Sequence, residues 1–101
     1  MARKIINTIS FSDTTTAVQV NTEDVRLLSA AFKARDTNNG AIYLGDDSNV
    51  SSTAAWKLAA NEFFSETFDE GTKHKTIISN TYWVIPTDAS DLLDYSLTLE
   101  Q

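Results

Sequence analysis

Polar and apolar positions alternate from residue 5 to residue 11. Ile5, Asn7, Ile9 and Phe11 fall on one side of an extended segment, and Ile6, Thr8 and Ser10 fall on the other. Such a period of two marks a half-buried strand, because successive side chains point to opposite faces. The pattern returns at Val18 and Val20, at Ile42 and Leu44 around Tyr43, and at Tyr95, Leu97 and Leu99. The densest apolar run is Tyr82, Trp83, Val84 and Ile85, followed by Pro86. It reads as a strand ending near the proline, which has no N–H to give a ladder. The segments EFFSETF (62–68) and KTIIS (75–79) read as two more strands, parted by a turn at residues 69–72.

Two stretches stay ambiguous. In residues 23–35, Leu28, Ala30, Phe32 and Ala34 form a period-two stripe, but Leu27, Leu28, Ala31 and Ala34 also suit a helix. Residues 54–62 have a helical composition and equally suit an irregular loop feeding a strand. Asn39-Gly40 stands before the alternating Ile42–Leu44 segment. Both residues tolerate positive φ, so the pair predicts a two-residue hairpin turn. The fold class expected is all-β: a compact β-sandwich or small β-barrel of about seven or eight short antiparallel strands, with room for one short helix.

Length limits this to one domain over residues 1–101, with the first 11 residues serving as an attachment arm or as the first strand. The chain has no cysteine, which excludes disulfides and thiolate metal sites. Fourteen acidic against eight basic side chains give a net charge of −6. That balance argues against a nucleic-acid partner, which would favour a basic stripe. The N-terminus lacks a continuous apolar run of signal-peptide length, and no segment is apolar enough over its length to span a bilayer, so neither export nor a membrane partner is expected.

Candidate chemistry is sparse. His74 is the single histidine and sits between Lys73 and Lys75, whose charges lower its proton affinity. Asp46 and Asp47, with Asn49 nearby, lack the donor spacing and glycine of a calcium loop. Asp88, Asp91 and Asp94 recur every third residue but flank Leu92 and Leu93, which suits an anchored loop better than a metal. Residues 38–45 hold two glycines without the Lys-Ser/Thr of a phosphate loop. Asn49-Val50-Ser51 fits a glycosylation acceptor only formally. Trp56, Trp83, Tyr43, Tyr82, Phe63 and Phe64 are read first as core and sheet-face residues, with a sugar platform, for instance Trp56 beside Tyr43, as the alternative. No enzyme, cofactor or metal is expected.

The run NGAIYLGDDSNVSST (39–53) resembles a motif of small tailed-phage virion proteins, N-T-G-N-V-Y-V-G-D followed by V-S-S-T. Residues 82–85 match that family's later apolar strand, and residues 94–99 its closing strand. Leu58 takes the place of the leucine in that pattern, but Ala59, Ala60, Asn61 and Glu62 stand where the family has a Pro-Gly-Glu turn. The resemblance implies a structural virion protein, most concretely a capsid decoration (cement) protein. It would be made in the host cytoplasm, form a homotrimer, and bind the phage major capsid protein at the capsid surface. The alternative is a tail- or fibre-associated module binding host glycan. Arg3 and Lys4 stand apart from an otherwise acidic chain, so Arg3, Lys4, Ile5 and Ile6 are the candidate attachment residues.

Overall fold

A computed structural model of the chain describes residues 2–51, 55–67 and 80–100. The expected strand at 75–79, the turn at 69–72 and the trio Lys73, His74 and Lys75 lie outside the described residues. Among the described residues eight strands follow one another: β1 (Ala2–Ser10), β2 (Val18–Gln19), β3 (Leu27–Ala34), β4 (Ile42–Gly45), β5 (Trp56–Leu58), β6 (Phe63–Thr67), β7 (Trp83–Pro86) and β8 (Leu92–Glu100). There is no helix among the described residues. Both ambiguous stretches are extended, giving β3 and β5.

The strands form two four-stranded sheets, β1-β8-β3-β6 and β2-β7-β4-β5, antiparallel throughout. First pairs with eighth, second with seventh, third with sixth and fourth with fifth. This nesting is that of a long hairpin rolled over on itself, the jelly-roll form of the β-sandwich. Only the β4–β5 connection stays within one sheet; all the others cross between sheets.

The core is the inward half of each alternation. Leu93, Tyr95, Leu97 and Leu99 of β8 are buried, while Leu92, Asp94, Ser96 and Thr98 between them are half-buried on the outer side. Strand β8 lies between β1 and β3, so its inner face is covered from both sides. In β3 the buried residues are Leu27, Ala30, Phe32 and Ala34. The register shifts between Leu27 and Ser29, which makes Leu28 the extra residue of a β-bulge. The bulge breaks the period-two stripe and gives Leu27, not Leu28, the buried place. From the second sheet, Val84, Ile42, Leu44 and Leu58 complete the core. Pro86 closes β7, where a missing N–H does least harm to the ladder.

The two-residue hairpin expected at Asn39-Gly40 is not formed. β3 and β4 belong to different sheets, so residues 35–41 make a crossover. Neither Asn39 nor Gly40 has positive φ; Asn61, at 69°, is the one described residue that does. Gly40 is needed for room. A Cβ there would come 2.1 Å from the Thr87 Oγ1. The crossover is held by residues far along the chain. The Asp91 carboxylate accepts the N–H of Asn39 at 2.7 Å and that of Gly40 at 2.8 Å. The Asn38 side chain donates to the Leu92 carbonyl and accepts the Leu92 N–H, both at 2.9 Å, in imitation of a strand partner.

The β5–β6 connection crosses the sheets in residues 59–62. The Glu62 N–H donates to the Ala59 carbonyl at 2.9 Å, and Asn61 takes the left-handed conformation at the third position. This is the geometry of a type II turn, for which asparagine substitutes for glycine. Ala59-Ala60-Asn61-Glu62 therefore turns the chain without Pro-Gly.

Candidate functional site

The outer face of the β1-β8-β3-β6 sheet is built from the polar half of each alternation. Register places Ile6, Ser96, Ala31 and Ser65 in one row across the four strands. The neighbouring row is Thr8, Asp94, Lys33 and Phe63. Small side chains thus line the middle, and two large apolar ones stand at opposite edges: Ile6 on β1, 73% exposed, and Phe63 on β6, 72% exposed. Between them runs an open depression of about 340 Å³, lined chiefly by Ile6, Ala31, Lys33, Phe63, Asp94 and Ser96. Both side chains leave apolar surface uncovered at the rims of a floor made of Ala31 and Ser96 with Lys33 and Asp94.

Charges sit at one end of this face. The Arg35 guanidinium grips Asp94 with both arms, Nε to Oδ2 at 2.9 Å and Nη2 to Oδ1 at 3.0 Å. The Thr8 hydroxyl donates to Asp94 Oδ1 at 2.6 Å. The Arg35 hydrogen bond, with help from Thr8, holds the Asp94 carboxyl below its ordinary range. A depressed folded-state value stabilises the fold above the unfolded value and is lost as pH falls through the folded one. Asp94→Asn is therefore expected to be less stable than the parent near neutrality by about 0–1 kcal/mol, the scale of an exposed ion pair. The gap should close as pH drops below about 4. Urea unfolding at about pH 7 and about pH 2 measures it; a gap of equal size at both would refute the assignment.

Of the four attachment candidates, two face outward. Lys4 and Ile6 are exposed, whereas Arg3 and Ile5 are half-buried on the side of the core. Arg3 donates through Nη2 to Glu23 Oε1. All four belong to β1, which is paired with β8 over its whole length.

The other sequence candidates are separated by the fold. Tyr43 pairs with Lys57 and Leu44 with Trp56, so neighbouring Tyr43 and Trp56 point to opposite faces of their sheet. They make no shared sugar platform. Trp56 instead packs on Phe64 at 5.7 Å between ring centres, and Phe64 on Phe32 at 6.5 Å. Asp88 caps its own turn by accepting the Ser90 N–H at 2.9 Å, which lowers its proton affinity. Asp91 holds the crossover and Asp94 holds Arg35, so the three share no ligand. Asp47 accepts the Asn49 N–H at 2.8 Å. Among the described residues no three His, Cys, Asp or Glu side chains come together as a metal site. The depression was missed in the sequence, where Phe63 stood only among the core, sheet-face or sugar-platform aromatics. Only cross-strand register brings Phe63 onto the face of Ile6.

No protein-family model and no curated protein matches the sequence. Solved structures do match. One structure of the Tobacco streak virus coat protein and another of that coat protein as a dimer each align over 99% of this chain and 85% of theirs. The TM-score is 0.52 and the identity 10% in both cases. These findings correct the resemblance to tailed-phage virion proteins. The similarity lies with a plant-virus coat protein, and the described part of the motif at 39–53 that carried the phage reading is the end of a crossover, strand β4 and a turn. The descriptions bacteriophage and capsid decoration protein fall with it. What the comparison establishes is a fold shared with a viral coat protein across nearly the entire chain.

Proposed function

We propose that the protein is a structural component of a virus particle that works by packing against copies of itself. The observation that carries this is the nested jelly-roll pairing, first strand with eighth through fourth with fifth, in the arrangement that aligns with a coat protein end to end. Fold alone does not assign function. Two further features support the reading. Ile6 and Phe63 leave large apolar surface uncovered on one sheet face. Asp88, Asp91 and Asp94 are spent on a turn, a crossover and an ion pair, not gathered around a cleft. The matching coat-protein dimer supports a second copy as the partner. A separate phage shell protein and the three-fold order rested on the phage resemblance and lose their basis with it. Within the set Arg3, Lys4, Ile5 and Ile6, attachment falls to the outward Lys4 and Ile6. The net charge of −6 leaves genome binding to other components.

Quantitative mass spectrometry of particles purified from the system that encodes the chain tests this. Many copies per particle are expected. Absence from particles, with the protein abundant in the same cells, would reject the reading.

A further inference from the structure

We infer that two copies join edge to edge through β1, antiparallel about a two-fold axis at Ile6, so that the sheet continues from one molecule into the next. The inference deepens the reading above by naming the surface on which one copy meets another.

Among the described residues four strands end the two sheets, and three of them are short: β2 has two residues, β5 three and β6 five. Short edges are a usual protection against unwanted pairing. β1 is different. It has nine residues, contains no proline, and runs against β8 without a register shift. Among the described residues it is long, regular and uncovered, without proline or bulge, and its only guards are the charges of Arg3 and Lys4 and the Asn7 amide.

The direction of its free groups is legible. The Thr8 N–H is taken by the Asn7 side chain at 2.8 Å. That donor therefore points away from β8. Backbone groups of an antiparallel strand alternate between its two sides. Lys4 and Ile6 accordingly present their N–H and C=O groups to the open edge along with Thr8. The Asn7 amide acts as a stopper on one of these donors in the single molecule.

The sequence of β1 selects a second β1 as the occupant. Ile6 is its midpoint, with four strand residues on each side, and is the most exposed of the large apolar side chains among the described residues. Pairing about Ile6 sets Ile6 against Ile6 of the second copy, Lys4 against Thr8, and Ile5 against Asn7. Side chains directly opposite lie about 4.5–5.5 Å apart at Cβ, so the two isoleucines cover one another. Lys4 meets the Thr8 that carries Asp94. The two Lys4 side chains stay four positions apart, about 13 Å at a strand's rise per residue. That exceeds the screening length of about 8 Å in physiological salt. The contact is self-complementary, as a two-fold interface must be, and it brings the two open depressions side by side.

Cysteine cross-linking tests the register, since the chain has no cysteine of its own. Under mild oxidation Ile6→Cys should link into a covalent dimer, because opposite Cα atoms fall within the roughly 4.4–6.8 Å that a disulfide needs. Thr8→Cys should link at least tenfold more slowly. Equal rates for the two would overturn the register. In sedimentation, Ile6→Lys should weaken dimerisation of the folded protein at least tenfold by setting like charges opposite. Phe63→Lys, on the same face but the far edge, should leave it unchanged, with folding of both checked by circular dichroism. Dimerisation lost in Phe63→Lys and kept in Ile6→Lys would move the interface off β1 and overturn the inference. A parent protein that is monomeric at every concentration would do the same. Neither result bears on the presence of the chain in particles, which the mass spectrometry decides separately.

Discussion

Replacing Phe32 by alanine is expected to lower stability by about 3–5 kcal/mol, the range for emptying a buried aromatic site. Phe32 is 1% exposed and stands in the middle of β3, between Tyr95 of β8 and Phe64 of β6. Its ring lies stacked 6.5 Å from that of Phe64 and edge-on 5.1 Å from that of Tyr82. Tyr82 leads into β7 of the other sheet, and its carbonyl accepts the Val20 N–H. Phe32 thus joins the two sheets where the chain crosses between them. Its loss also unseats Tyr82, whose hydroxyl donates to Glu66 at 3.0 Å and whose burial pushes its phenol well above the ordinary range. A domain this small has about 5–15 kcal/mol in all, so the variant should be marginal at 37 °C. Urea unfolding followed by the fluorescence of Trp56 and Trp83 measures the change. A shift in midpoint at constant slope is expected. A loss below about 1 kcal/mol would mean the site collapses freely, against the close packing argued here.

Asp91→Ala should cost about 2–4 kcal/mol, since two backbone donors lose a charged acceptor at once. Asp91 is 1% exposed and is the only buried charged residue among those described. Its oxygens divide the work, Oδ1 to Asn39 and Oδ2 to Gly40. Asp91→Asn keeps one acceptor and should recover roughly half of the loss. Salt separates this site from Asp94. The effect of Asp91→Ala should persist at about 1 M salt, where surface ion pairs such as Arg35–Asp94 are screened out. A cost that vanished in salt would place the Asp91 effect in long-range charge and not in the two hydrogen bonds.

Local pattern decided much of this protein. Alternation in β1 and β8 told which side chains face the core, because a strand's period of two is a property of the single strand. Pro86 marked the end of β7 by the same local logic. Ile6 was placed by the same alternation on the side of Thr8 and Ser10, and its neighbours Arg3 and Lys4 put it in the attachment set. Pairing is different, since it joins residues far apart in the chain. Asn39-Gly40 has the chemistry of a hairpin turn, yet the strands around it separate into two sheets, and an acceptor 51 residues away in sequence fixes Gly40 in an ordinary conformation. The bulge at Leu28 reversed which leucine is buried, because β8 sets the register of β3 from outside. Phe63 and Ile6 belong to one surface only because β8 and β3 lie between their strands. The sequence determined which residues prefer to be extended and which way each strand faces. The tertiary structure decided who pairs with whom, and with it every surface through which this protein can meet another, because strand neighbours are chosen by the closure of the whole sandwich.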